Sequence, residues 1–252
     1  MVYFIGAGPG AVDLITVRGQ ELLKKADVVI YAGSLVNPEL LKCTKPECKI
    51  YNSASMTLDE IIDVFVREYS PDKILVRLHT GDPSIYGAIK EQMKLLDKHK
   101  IPYNVVPGVS SFCGAAAVLN AEYTLPGVSQ TVILSRMEGR TPVPPDEDIE
   151  KLASHKASMV LFLTTSMLEK LSEKLVKGGY KSDTPAAIVY KATWPEQKIV
   201  RTTIAELHKS AKENNITKTA LILVGDFLSC EHELSKLYDA SFTHEFRKAK
   251  EQ

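Results

Sequence analysis

Three short apolar runs in the first half of the chain each stop at a glycine-containing turn and then give way to a helical pattern. Residues 2–5 run into Gly6-Ala7-Gly8-Pro9-Gly10-Ala11 and then an amphipathic stretch over 16–26. Residues 73–78 run into Thr80-Gly81-Asp82-Pro83 and a stretch over 85–98, where Ile85, Ile89, Met93 and Leu96 recur near helical spacing. Residues 103–106 run into Pro107-Gly108-Val109-Ser110-Ser111 and an alanine-rich helix ending near residue 119. Repeated strand–turn–helix units require crossover connections and build a largely parallel sheet. Ligands of such sheets sit at the carboxyl ends of the strands. Gly81 permits backbone geometry that a side chain would obstruct, and Pro83 presets φ for a helix start. Asp82 then falls at a strand-to-helix turn, close to amides that the helix leaves unpaired.

The rest of the chain reads as more of the same class. Residues 28–31 form a strand with a turn at Gly33-Ser34, residues 43–55 are polar and mixed, and residues 57–69 form a helix. Thr57 caps that helix, and Leu58, Ile61, Ile62, Phe65 and Val66 supply its apolar face. Beyond a junction at 121–129, strands are predicted at 131–134, 159–163, 186–190, 199–203 and 219–224, and helices at 146–153, 167–177 and 204–214. Two adjacent strand runs around Trp194-Pro195-Glu196 predict a hairpin and hence a mixed sheet. The 252 residues fit one large domain or two of about 120. We divide them into an N-terminal α/β domain over 1–121, a C-terminal α/β domain over 122–230 and a charged tail over 231–252.

Lysine plus arginine (31) balances aspartate plus glutamate (31), which argues against a nucleic-acid partner while leaving a local basic pocket open. Cys43, Cys48, Cys113 and Cys230 have no metal-ligand spacing, so no metal is expected and the thiols read as free in a reducing cytoplasm. The first ten residues lack the basic and apolar regions of a signal peptide, and no apolar run approaches the roughly 20 residues of a membrane span. The expectation is a cytoplasmic chain without a membrane partner.

Residues 6–11 match the relaxed dinucleotide fingerprint G-x-G-x-x-G/A. Pro9 removes an amide donor from that loop, and the strand over 28–31 ends in Ala32-Gly33 with no ribose-binding acid. A nicotinamide or flavin dinucleotide is therefore disfavoured. Taken together and in order, GAGPG, TGDPSIYG, PGVSS and TPAAIVYKAT resemble the motifs of the tetrapyrrole methylases, over about residues 2–226. The resemblance implies an α/β fold of two α/β domains with the active-site cleft between them, and a homodimer. It also implies S-adenosyl-L-methionine as methyl donor, S-adenosyl-L-homocysteine as product and a precorrin tetrapyrrole as substrate. Within the family, HTGDPSIYGAI, QTVILSRMEGRTPVP and YKATWPEQKIVRTT are similar to the members that methylate C11 of precorrin-4 or cobalt-precorrin-4 in cobalamin biosynthesis. Ala11 is a departure, since many relatives carry an aspartate there.

Carried over by motif, the resemblance points to Pro9, Gly81, Asp82, Ile85, Ser110, Ser111, Thr164, Ala192 and Ala220 as cofactor contacts. A precorrin bears many carboxylates, which guanidinium groups bind bidentately and an ammonium binds as a point charge, so Arg136, Arg140 and Lys191 are candidate substrate contacts. Arg77 and Arg201 read as solvated surface charge. Proton removal from the macrocycle needs a base, for which Tyr86, His79 and Asp82 are the candidates, although His79 also fits a hydrogen-bonding role at a strand end. Two readings stay open beside C11 methylation: another precorrin C-methyltransferase of the same fold, and a non-catalytic module holding a tetrapyrrole or nucleotide. The intact GAGPG and TGDPSIYG argue for an enzyme.

Overall fold

A computed structural model describes residues 1–228, 233, 235, 239–243 and 245–249. Cys230 and much of the charged tail lie outside the described residues. The chain divides into two compact units, one of Met1–Val118 with Lys191–Lys198, the other of Leu119–Tyr190 with Ile199–Gln252.

The first unit is built on a five-stranded sheet of β1 (Val2–Gly6), β2 (Val28–Tyr31), β3 (Lys49–Asn52), β4 (Leu75–His79) and β5 (Tyr103–Val106). Its order is β3-β2-β4-β1-β5 and its pairings are parallel. Helices α1 (Val17–Lys25), α2 (Leu58–Glu68), α3 (Ile89–Lys98) and α4 (Ser111–Leu119) connect and follow the strands. Thr16 caps α1, and Thr57 and Glu60 close a full capping box on α2. Successive strand residues face opposite ways, so the inner strands feed two cores. Phe4, Ile30 and Leu75 pack with Ile61, Phe65 and Leu96 of α2 and α3. Ile5, Val29, Val76 and Leu78 pack with Leu23 of α1 on the other face. By the same alternation Arg77 and His79 share the α2/α3 face with Leu75. The chain therefore leaves neighbouring strands β1 and β4 toward opposite faces of the sheet, which is where an open α/β sheet forms a crevice.

The second unit holds a mixed sheet of β6 (Val132–Arg136), β7 (Ser158–Phe162), β8 (Pro185–Tyr190), β9 (Lys198–Thr203) and β10 (Ala220–Val224). The order is β6-β7-β10-β8-β9, with β6 and β7 parallel and β10 antiparallel to both β7 and β8. Helices α5 (Ile149–Ala153), α6 (Leu168–Lys177) and α7 (Leu207–Glu213) cover it. Leu168, Leu171 and Leu175 fall on one stripe of α6 and are buried against Ile188 and Ile222. Each such leucine contributes roughly 1.5–3 kcal/mol before chain entropy is counted.

Three local expectations change. The helix predicted from Ile85 begins only at Ile89, because Tyr86 (φ 54°) and Ala88 (φ 49°) take left-handed backbone angles that end any right-handed helix. Pro83 accordingly opens a turn and not a helix. The polar stretch over 43–55 contains β3, an exposed edge strand whose residues show no apolar alternation. The helix predicted over 146–153 is cut to its last five residues, with Asp148 as its cap after the turn Pro145–Glu147.

Candidate active site

The crevice end of the first unit is made by three turns that touch through their backbones. Gly8 and Gly81 form an isolated antiparallel bridge, with Gly81 N–H donating to Gly8 O at 2.8 Å and Gly8 N–H to Gly81 O at 3.3 Å. A Cβ on Gly6 would lie 2.5 Å from Gly81 O and 2.6 Å from Gly108 Cα, and one on Gly108 would lie 2.3 Å from Gly81 O. No side chain fits where these backbones meet. Gly81 itself sits at φ 59°, and its Cβ would come within 3.3 Å of Ser111 N. The turns thus present main-chain donors and acceptors at close range.

Asp82 ties two of these turns together. One carboxylate oxygen accepts the Gly108 N–H at 2.8 Å, and the other accepts the Ser84 N–H at 2.8 Å and the Ser84 hydroxyl. Burial alone would raise the Asp82 carboxyl, but the hydrogen bonds from Ser84 and Gly108 together outweigh it and hold the group below the usual aspartate range. A carboxylate so held is a weak proton acceptor and a good fastener. Ser110 is buried, its carbonyl accepting from Gly114 N–H at 3.2 Å, and the half-buried Ser111 opens α4.

The segment Lys191–Lys198, though some 180 residues away in sequence, completes this end of the unit. The Trp194 indole donates to Pro9 O at 3.0 Å, and Thr193 Oγ1 accepts from Ala11 N–H at 2.9 Å. A Cβ on Gly10 would lie 2.0 Å from Trp194 Cδ1, so the indole occupies the space which that glycine leaves. Asn37 donates from its amide to Gly10 O at 2.9 Å. Thr193 holds φ 69°, unusual for a β-branched residue, and is pinned there by its N–H bond to the Gln197 side chain at 2.6 Å. Ala192 is buried in this segment, and Lys191 sits 4.9 Å from the Trp194 ring centre with Glu196 at 3.4 Å.

His79 and Ile85 line a cavity behind the turn, on the α2/α3 face. His79 is buried, and burial followed by the charge of Arg77 drives its pKa down to about 3. The imidazole is neutral at neutral pH. Tyr86 is exposed at the cavity mouth. Arg77 is not surface charge: it is 5% exposed, because its position on β4 faces the core, and it is satisfied in part by Gln92 and by Ile30 O.

The remaining candidates belong to the second unit. Thr164 is fully buried, its hydroxyl donating to Phe162 O at 2.6 Å and accepting the Met137 N–H at 3.1 Å. It thereby fixes the start of the loop that follows Arg136 and carries Arg140. Ala220 opens β10, and its carbonyl accepts the Thr165 hydroxyl at 3.3 Å. Arg136 spends its guanidinium on Met137 O, Thr141 O and Pro142 O, which folds the loop over its own base. Arg140 is exposed on that loop and makes no ion pair among the described residues. Arg201 donates to Leu119 O and Leu228 O at 3.0 Å each.

Residues 1–208 match the family model of the Tetrapyrrole (Corrin/Porphyrin) Methylases. This chain belongs to the tetrapyrrole methylase family. A cobalt-precorrin-4 C(11)-methyltransferase of Methanocaldococcus jannaschii is 52% identical to it over 249 residues, covering 98% of this chain and 96% of the relative. Among solved structures, a cobalamin biosynthetic enzyme, cobalt precorrin-4 methyltransferase, superposes with a TM-score of 0.88 at 47% identity, covering 91% of this chain and 96% of that one. The uroporphyrin-III C-methyltransferase of Thermus thermophilus, solved with S-adenosylhomocysteine, gives a TM-score of 0.74 at 25% identity over 90% of this chain and 93% of that one.

The first unit of this methylase gathers Pro9, Gly81, Asp82, Ser110, Ser111 and Ala192 around the three turns, with Ile85 lining the cavity behind them. Sequence reading passed over Asn37, Thr193 and Trp194 as partners of the glycine loop. Trp194 is the only tryptophan, which was the one available signal, but nothing local in the sequence relates it to Pro9.

Proposed function

We propose that this tetrapyrrole methylase transfers a methyl group from S-adenosylmethionine to C11 of precorrin-4 or cobalt-precorrin-4 in corrin biosynthesis. The observation that carries the reading is the near full-length likeness to proteins of that name, extending through the substrate-class segments around residues 130–145 and 190–203. The methyl of a sulfonium is already electrophilic, so no activating residue is required for it to leave. The protein must hold a ring carbon in line with the carbon–sulfur bond and keep water out, and positioning of this kind accounts for roughly 7–11 kcal/mol in favourable cases. In balance, a carbon–carbon bond forms at C11, the carbon–sulfur bond breaks, the sulfur leaves as a thioether, and the macrocycle gives up a proton.

The turns at Gly6–Gly10, Gly81–Asp82 and Gly108–Ser111 would hold the donor. The crowding that forbids a Cβ at Gly6 and Gly108, and the left-handed backbone at Gly81, suit a ligand recognised by backbone amides and carbonyls. Ala192 and the Trp194-braced loop would close the same end. Arg140, exposed on the loop that Arg136 folds, would meet a carboxylate of the macrocycle. Two copies of the chain would form the working unit in the cytoplasm.

The test is isothermal titration with S-adenosylhomocysteine, followed by methyl transfer to each macrocycle with carbon-13 methyl donor. The expected results are one binding site per chain, a rise in melting temperature by mass action and label at C11. Failure of folded protein to bind at millimolar ligand would overturn the assignment. Label on another ring carbon would select a different precorrin methylase. Sedimentation in solution would report the dimer.

A further inference from the structure

Beneath the TGDPSIYG turn, wholly within Met1–Val118, lies a cavity of about 350 Å³, with Ile85 and Tyr86 of that turn in one wall and buried side chains of β4 and α3 beneath. Arg77, His79, Gln92, Ser53, Tyr86 and Glu91 are among its lining residues. Its floor is built of buried polar side chains. Arg77, His79 and Gln92 are 5%, 5% and 4% exposed.

The charges there do not balance. Arg77 donates from Nε to Gln92 Oε1 at 3.2 Å and from Nη1 to Ile30 O at 3.2 Å, both neutral acceptors. Gln92 is held in place by its own donation to Ala88 O at 3.2 Å. Among the described residues no carboxylate stands within ion-pairing distance of Arg77, and Nη2 makes no hydrogen bond. Glu91 lines the cavity but is exposed on α3 and pairs with none of these groups. His79 Nε2 is fully buried with no hydrogen-bond partner. Burial lowers the Arg77 pKa only to about 10, so the cation persists at neutral pH. A buried cation without a counter-ion is costly unless something supplies the opposite charge.

We propose that this cavity is a carboxylate-binding site in which Arg77 Nη2 pairs with the anion and the neutral His79 ring and Ser53 flank it. With Nε and Nη1 engaged by Gln92 and Ile30 O, and the Ser53 hydroxyl donating to Tyr31 O at 3.0 Å, a carboxylate oxygen is left the Nη2 donors, a charge-assisted hydrogen bond. Tyr86 and Ala88, both in left-handed backbone conformations, are part of the cavity lining. Two sources share this chemistry: an acetate or propionate arm of the macrocycle, and a free small carboxylate. The site itself does not depend on the methyl-transfer reading, and only its assignment to a macrocycle arm rests on it.

The test uses the whole chain with propionate, and with propionamide as its neutral isostere, at matched ionic strength. Propionate should shift the His79 ring resonances, assigned through His79→Gln, in a saturable way at millimolar concentration. Propionamide should not. Arg77→Met, which keeps length without charge, should weaken propionate at least about tenfold. The wild-type comparison needs no variant, so misfolding of Arg77→Met would leave it intact. No saturable shift with propionate, or equal shifts with both probes, would overturn the site. If propionate also raises KM for the macrocycle, the arm is the occupant; if it binds and leaves KM unchanged, the site serves a free carboxylate. S-adenosylhomocysteine titration in the same samples reports the methyl-donor site separately, so either reading can fail alone.

Discussion

Asp82→Asn tests whether the carboxylate acts as a fastener between two ligand-binding turns. In the wild type, one oxygen takes the Gly108 N–H and the other takes both Ser84 donors. An asparagine has one acceptor oxygen. Whichever way its amide turns, an N–H faces either Gly108 N–H or the Ser84 amide. At least one hydrogen bond to a charged acceptor is lost, worth roughly 1.5–3 kcal/mol. Asp82 is only half-buried, and solvent screening pulls the figure to the low end, about 1.5 kcal/mol. For a chain of this size that corresponds to a fall of about 3–6 °C in melting temperature. Because the folded carboxyl sits below its ordinary range, the contribution is present in full at neutral pH and is lost as pH falls through the folded value. Melting curves of both proteins should therefore separate at pH 7 and converge in acid. S-adenosylhomocysteine affinity should fall in parallel, since the Gly81 and Gly108 turns lose their tie. Equal stability and equal affinity at pH 7, or a gap that persists unchanged in acid, would refute the fastener argument.

Gly81→Val places a β-branched side chain at φ 59° and against Ser111 N, an angle that costs roughly 1–2 kcal/mol; calorimetry should show a folded protein that no longer binds S-adenosylhomocysteine, and retained affinity would move the donor site. Gly10→Ala drives a methyl into the Trp194 ring, so the single tryptophan should shift its emission to the red as the indole leaves Pro9 O, at a cost of about 1–3 kcal/mol. An unchanged spectrum would show that the loop accommodates the methyl elsewhere. Arg140→Ala, on an exposed loop, should leave stability within about 0.5 kcal/mol and donor affinity unchanged while weakening precorrin about tenfold; paired titrations of the two ligands would expose a loss common to both.

Much of the architecture was legible because it is governed by local rules. Apolar runs of four to six residues, glycine-punctuated turns and helical spacing located, among the described residues, nine of the ten strands and all seven α-helices, and Thr57 announced the start of α2. β3 was missed because an exposed edge strand needs no apolar alternation. The motifs GAGPG, TGDPSIYG and PGVSS could be recognised as one set, because each is a continuous backbone turn whose glycines record the need for close approach.

Only the tertiary structure decided how those turns are braced and which charges are buried. Arg77 carries no local sign of burial; its position two residues after Leu75 on a central strand places it on the α2/α3 face, where its charge meets only neutral acceptors. Trp194 and Pro9 are joined by a hydrogen bond across 185 residues, a separation at which no periodicity carries information. Sequence determines local geometry through sterics and hydrogen-bonding preferences that act over a few residues. Which distant side chain fills the space left by a glycine, and which buried ion lacks a partner, is settled only when the strands take their order in the sheet.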